Sequence, residues 1–314
     1  MAVNTSSAFN PILSQIAYEH WNDGNQWAGH VLAPVFRTGE QAARYPVFSK
    51  ENLLSRPKNI QRAPGTPYSR SGLTLSHDTY NCEDKGHVVP VDDTERKKYR
   101  NQFDCDTAAI RRAVSTLHYN HELEVKALVD DGSVLGASPS TKWDASSGSD
   151  PIADIRAQRT AFRDGSGLDA NTLVLTQDVA EVLYYHADLI DLFKYSQSAV
   201  LGASDIARVF RIPRVVIAGE YHDTAEEGLA SSLAQIWSDT VVLAHTSDMS
   251  DLEAPNAFRT FSWTESSGSE DDIDLLIESY RDDDIVSDLH RVRHHTDVKK
   301  TGSTLVRKLT NVLT

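Results

Sequence analysis

Residues 150–246 constrain this chain most, because helix and strand signals alternate there with clear stops between them. Asp150 followed by Pro151 marks a helix start. The carboxylate can accept from free N–H groups of the first turn, and proline at the first position gives up a donor the helix would not use. That helix should end near Gly165. Short apolar runs at 172–175, 214–218 and 240–244 read as strands. Helices are predicted over 178–186 and 204–210, the second stopped by Pro213. Alternation of this kind builds an α/β layer.

The strongest helix signal lies upstream, over 107–129. Ile110, Val114, Leu117, His121, Val125 and Leu128 recur at three- and four-residue steps and form one apolar stripe. At about 1.5 Å per residue this helix is roughly 35 Å long. Asp106 or Thr107 is its expected cap, and Asp130-Asp131-Gly132 its stop. Asp92 and Glu95 have capping-box spacing for a short helix before it. Residues 136–149, rich in Ser, Gly and Thr, read as a boundary, and a second falls near 247–256.

The flanks carry β signals. Residues 72–77 alternate apolar and polar, and 86–91 read as their antiparallel return across a polar turn at 81–85. Prolines at 57, 64 and 67 argue against a central strand before that pair. Residues 258–263 alternate Phe258, Thr260 and Ser262 against Arg259, Phe261 and Trp263, and 285–295 and 303–309 also read as strands. The fold class is therefore α+β, with an α/β insert inside a discontinuous outer domain. Residues 1–50 hold scattered aromatics broken by Pro11, Pro34 and Pro46. Apart from a helix over 11–21, capped by Asn10, they lack periodicity. Such a segment needs a partner surface, and the expectation is an arm that orders on a neighbouring subunit.

Charge narrows the function. The 314 residues carry a net charge of −14, which disfavours a free-standing nucleic-acid-binding protein. A shell that encloses DNA is compatible with it. Heavy Asp use with few lysines fits a high-salt environment or a GC-rich genome. No run of about 18 apolar residues occurs. Residues 1–11 lack a secretory pattern, so the expected place of synthesis is a cytoplasm. Cys82 and Cys105 match no zinc or CxxC spacing and read as small, partly buried residues kept as thiols.

Candidate chemistry is sparse. His290, His294, His295 and Asp297 are the best metal-ligand set, but their surroundings read as a strand and no Glu lies between the histidines. Exposed histidines are the favoured reading, and no metal is expected. The carboxylate runs at 270–274 and 282–284 fit no EF-hand loop and read as solvated turns. His121, on the apolar stripe, reads as a core histidine. No nucleophile elbow, phosphate-binding loop or dinucleotide fingerprint occurs. No catalytic residue and no cofactor is assigned.

The order of parts resembles a family. Leu32-Ala33-Pro34-Val35, Tyr45-Pro46-Val47-Phe48, Tyr80-Asn81-Cys82-Glu83 and Val89-Pro90-Val91-Asp92-Asp93 come first. The long helix, Ser149-Asp150-Pro151-Ile152, Asn171-Thr172-Leu173-Val174-Leu175 and Phe258-Arg259-Thr260-Phe261-Ser262-Trp263 follow. In that order they look like a major capsid protein of tailed double-stranded DNA viruses, with the Hong Kong 97-type fold. The resemblance implies an N-terminal arm at 1–50, an extended loop at 51–91 and a peripheral domain with a spine helix at 92–149. It implies an axial domain at 150–246 and C-terminal strands of the peripheral domain at 247–314.

It further implies a structural protein, not an enzyme, that assembles with itself as hexamers and pentamers into an icosahedral virion shell around double-stranded DNA. Assembly would take place in the host cytoplasm. A portal protein and, in some relatives, decoration proteins would be partners. Some relatives carry a fused scaffolding segment; here Met1 leads almost directly into the arm, which implies a separate scaffold protein. No local feature selects a Lys–Asn pair, so no covalent cross-link is expected. An encapsulin-type nanocompartment shell protein is the alternative within the same fold, and a soluble α/β hydrolase the alternative outside it. Arg56, Lys58, Arg62 and Arg70 form a basic stretch free of acidic residues. On the resemblance it lies in the extended loop, where it would contact an acidic neighbour or remain a solvated loop.

Overall fold

A computed structural model describes residues 27–47, 60–62, 64–68, 70, 76–145, 147–193, 202–225, 228–247, 252, 254–264 and 275–314. Helix α1 (Ala28–Leu32) leads into strands β1 (Val35–Thr38) and β2 (Ala42–Val47). Strand β3 (Ser76–Asn81) returns antiparallel to β2, and β4 (Glu83–Asp92) follows after Cys82 alone. Then come α2 (Asp93–Tyr99), α3 (Cys105–Asp130), β5 (Gly136–Ala137), α4 (Pro151–Ser166) and β6 (Thr172–Thr176). Next are α5 (Gln177–Tyr185), α6 (Ala187–Phe193), α7 (Ala203–Phe210) and β7 (Arg214–Ala218). Strands β8 (Tyr221–Asp223) and β9 (Leu233–Gln235) pair with each other. The chain closes with β10 (Val241–Ala244), β11 (Phe258–Trp263), β12 (Leu276–Asp282), β13 (Ser287–Lys300), a 3-10 turn at Ser303–Leu305 and β14 (Val306–Leu309).

Two sheets organise these elements. In the first, β13 is the axis. Strand β4 runs antiparallel along one edge, from Ser287 opposite Asp92 to Thr296 opposite Glu83. The other edge pairs with β12 and then with β11, and β1 adds in parallel to β11. The second sheet has the order β5-β14-β10-β6-β7.

Alternation along β6 sorts its side chains into two cores. Leu173 and Leu175 face Phe162 of α4, Leu183 of α5 and Phe210 of α7. Val174 joins Val125 and Val129 of α3, Val31 and Leu32 of α1, and Trp237. Both faces being covered, β6 is buried at all five positions and reads as an unbroken apolar run. The N-terminal half of α3 packs Ile110, Val114 and Leu117 on Ile277 and Val292 of the first sheet. This 26-residue helix, about 39 Å long at 1.5 Å per residue, therefore spans both sheets.

Caps explain most helix boundaries. Asp150 accepts from Ala153 N at 2.9 Å with Pro151 in the first turn, as expected. Gly167 closes that helix at φ 76°, a conformation that disfavours a Cβ. Asp92 caps α2 through Thr94 N and Glu95 N. The long helix is capped by Asp104, not Asp106 or Thr107, and starts at Cys105.

The structure departs from three expectations. Of the predicted pair 72–77 and 86–91, residues 72–75 lie outside the described residues; the described part does not pair as expected, since β3 pairs with β2 and β4 with β13. The ten-residue β4 finds a longer partner in β13 than a hairpin could offer, and buried Cys82 is the pivot between the two pairings. Residues 28–47 are not an arm awaiting a partner, because Ala28, Val31, Leu32 and Ala33 lie in this chain's own core. The predicted helix at 11–21 lies outside the described residues. Lastly, the outer domain does not keep all of 92–149 and 247–314. Strands β5 and β14 belong to the second sheet, and Trp143 and Val312 pack under α4 and α5.

Candidate assembly surfaces and the junction beneath them

The hairpin β2–β3 stands over the first sheet on an aromatic base. Tyr80 stacks on Phe261 of β11 with centroids 4.3 Å apart and planes 5° apart, and Tyr45 meets the same ring at 5.0 Å. Cys82 Sγ donates to Phe261 O at 3.5 Å, and burial pushes its thiol up to about 11. Tyr80 Oη and Thr38 Oγ1 share a hydrogen bond of 2.8 Å, and Asn81 N donates to Asp297 Oδ2 at 2.9 Å. The opposite face of β11 is also covered, since Thr260 Oγ1 donates to Ala33 O and meets His121 Nε2 at 2.8 Å. Hence the predicted alternation of β11 holds in direction, yet both faces are buried.

The basic stretch leaves from this base. Arg62 Nε donates to Thr66 O at 2.6 Å, and its guanidinium lies 4.9 Å from the Tyr68 ring centroid. Arg62 and Arg70 are exposed and have no acidic partner among the described residues. Arg56 and Lys58 lie outside the described residues, so the four cations are not seen to come together.

Helices α1 and α3 and the connection between β9 and β10 meet at a buried carboxyl group. Glu122 of α3 accepts from Gly29 N at 2.8 and 2.9 Å and from Trp237 Nε1 at 2.5 Å. Burial, opposed by the Trp237 hydrogen bond, raises its pKa to about 8. Glu220, itself shifted upward by burial, adds like-charge repulsion. One turn away His30 Nε2 lies 3.0 Å from His118 Nδ1, and His30 stacks on His121 at 4.4 Å. Trp27 stacks on His118 at 5.0 Å. Burial lowers His30 to about 4 and His294 to about 3, and holds His121 well below its ordinary value. These histidines therefore pack as neutral rings. His121 was legible as a core histidine. Glu122, His30, His118 and Trp237 were not, because no spacing links residues joined across α1, α3 and the β9–β10 connection.

The candidate metal set separates along β13. His290 Nε2 meets Asp106 Oδ1 at 3.1 Å and its Nδ1 meets Ser279, while buried His294 lies with its Nε2 3.5 Å from Thr296 Oγ1. His295 points to Asp84 and Trp263. No group that could hold a metal ion occurs among the described residues. The carboxylate run at 282–284 caps the β12–β13 turn. Beside it Arg281 pairs with Asp93 at 2.8 Å and Asp288 at 3.2 Å, and Arg96 pairs with Asp106 and Asp288 at 2.5 Å. This network pins α2 and the start of α3 to the first sheet. The run at 270–274 lies outside the described residues.

A spanning helix shared by two sheets, a projecting hairpin and an α/β layer together make the Hong Kong 97-type capsid fold. The chain superposes on a phage-related protein of Bordetella bronchiseptica RB50 with a TM-score of 0.74 and 20% identity, covering 98% of each chain. It superposes on the capsid structure of the cyanophage P-SCSP1u with a TM-score of 0.56 and 11% identity, covering 98% of this chain and 90% of that one. In sequence it is similar to the major capsid protein of Burkholderia phage BcepMu, with 24% identity over 248 residues, or 75% of this chain and 76% of that one. No family model matches the chain. The resemblance read from segment order is thereby borne out.

Proposed function

We propose that this chain is a major capsid protein, a structural subunit that assembles with copies of itself into a closed shell around a viral double-stranded DNA genome. The observation that carries this reading is the fold, matched over 98% of both chains with the phage-related protein and joined by sequence similarity to a phage major capsid protein. The chemistry agrees. Its buried polar residues cross-link elements, and among the described residues His290, His295 and Glu122 have structural partners.

In this reading the second sheet with α4–α7 is the axial domain, and α3 with the first sheet is the peripheral domain. The hairpin β2–β3 is the root of the extended loop. Arg62 and Arg70, with Arg56 and Lys58, would meet carboxylates of an adjacent copy; such charges chiefly set register and encounter rate. A role without catalysis, assembly in the host cytoplasm, and a scaffold, a portal and decoration proteins as partners complete the proposal. An encapsulin shell shares the fold, but the sequence similarity to a phage protein favours the viral reading.

Sedimentation of the purified full chain tests it. Rings, shells or capsomers are expected, since obligate interfaces bury roughly 2,000 Å² or more. A stable monomer at near-native salt, with its scaffold co-expressed, would overturn it.

A further inference from the structure

Between α4 and α7 lies a cleft of about 330 Å³, lined by Ile152, Ile155, Val209 and Phe210 and by Arg156, Arg159 and Arg211. The setting is unusual for a chain with a net charge of −14. None of the three arginines has a carboxylate partner among the described residues, whereas Arg163 and Arg208 beside them are paired with Asp169 and Asp205. Arg159 donates to Phe210 O at 2.7 Å, which fixes its guanidinium over the apolar floor, and its buried Nε has no partner. Arg211 closes α7 at φ 53°, a strained conformation for a side-chain-bearing residue, and is exposed where it lines the cleft. An apolar floor ringed by arginines without carboxylate partners suits a ligand that is apolar at its centre and anionic at its edge.

The same layer carries a surface of that description. Asp178, Glu181 and Tyr185 follow one another along a single face of α5 at helical spacing. Asp188 extends this exposed stripe onto α6. Tyr185 is 76% exposed and Leu192 61%, so large apolar groups stand out from the acidic surround. Tyrosine and arginine are the residues most enriched at the energetic centres of interfaces, and an arginine plane stacks on an aromatic face.

We infer that the α4–α7 cleft is a docking site for the Tyr185 tip of a second copy of this chain, with Arg156 and Arg211 facing Glu181 and Asp188 of that copy. The inference rests on the shell-forming reading above. The two surfaces share no residue, so the contact is heterologous, each copy offering a tip to one neighbour and a cleft to the other. Contacts of that kind close into rings when the rotation permits.

Charge reversal in the full chain tests this by sedimentation velocity at low salt. Reversing the cleft (Arg156→Glu with Arg211→Glu) or the tip (Glu181→Arg with Asp188→Arg) should lower the assembled fraction about tenfold. The thermal midpoint should stay near wild type, because all four side chains are exposed. Combining both reversals in one chain restores complementarity and should recover assembly to within about twofold of wild type. Wild type that never assembles would sink the shell reading itself. If wild type assembles and the cleft reversal assembles equally well, the docking site alone is refuted. It is refuted too if the reversal only reduces co-purifying nucleic acid, or if the combined variant fails to recover while remaining folded.

Discussion

The indole Nε1 of Trp237 donates to Oε1 of Glu122 across 115 positions of chain, joining the segment between β9 and β10 to the long helix α3 inside the protein. Gly29 N completes the same carboxyl group from α1. Three elements are thus fastened at one ionisable residue, and its protonation state governs how firmly.

Stability should fall as the medium becomes alkaline. The folded pKa of Glu122 is raised to about 8 from an ordinary 4.5. The folded state therefore holds a proton the unfolded chain has lost. Its contribution is fully present below about 4.5 and is lost as pH rises through about 8, a range worth a few kcal/mol. Denaturant unfolding across that window should show the slope in wild type and a flatter one in Glu122→Gln. Equal slopes would disprove the assignment.

Gly29 should be intolerant of substitution. A Cβ there would sit 2.4 Å from Glu122 Oε2 and 3.4 Å from the helix Cα. The carboxyl group cannot swing away without losing Trp237. Gly29→Ala should cost about 1–3 kcal/mol by overpacking. A thermal midpoint unchanged from wild type would show that the junction can yield.

The histidine stack should set the acid limit. His30, His121 and His294 are depressed by burial, so their contribution is present above about 6.5 and is lost as pH falls through about 4. Trp27 fluorescence should report the loss, since its ring stacks on His118. His30→Asn removes one of these titrations and should move the acid midpoint to lower pH. An identical midpoint would rule out a role for His30.

Phe261→Ala should loosen the hairpin root and cost about 3–5 kcal/mol, because this fully buried ring carries both Tyr45 and Tyr80. Hydrogen exchange should accelerate most in β2 and β3. Uniform acceleration throughout the protein would mean that the hairpin has no separate foundation there.

Much of this architecture was readable where local chemistry decides it. The Asp150-Pro151 start, the apolar stripe of α3 and the apolar run of β6 each carry their own period or cap. Pairing partners were less readable. Nothing local to Tyr80 or Cys82 says that β3 turns back to β2, since the choice is made by Phe261, 179 positions beyond Cys82. Strands β1 and β2 were missed because Pro34 stands directly before one and Pro46 lies within the other, and their burial depends on β11 and β3. The carboxyl junction was invisible for the same reason, as Glu122 reads on its helix as one more charged residue.

Charge on the extended loop should act on assembly and not on folding. Arg62→Glu with Arg70→Glu should slow assembly at low salt while leaving subunit unfolding unchanged. Raising salt should narrow the gap, as screening cuts the reach of charge to below about 10 Å. Assembly at the wild-type rate in low salt would leave the loop's charge without that role.

Whether these subunits close into a shell is decided by electron microscopy of the purified full chain. Closed shells, or rings of five and six subunits, are expected at near-native salt with the scaffold co-expressed. A field of uniform particles no larger than one 34.8 kDa chain would contradict a capsid role.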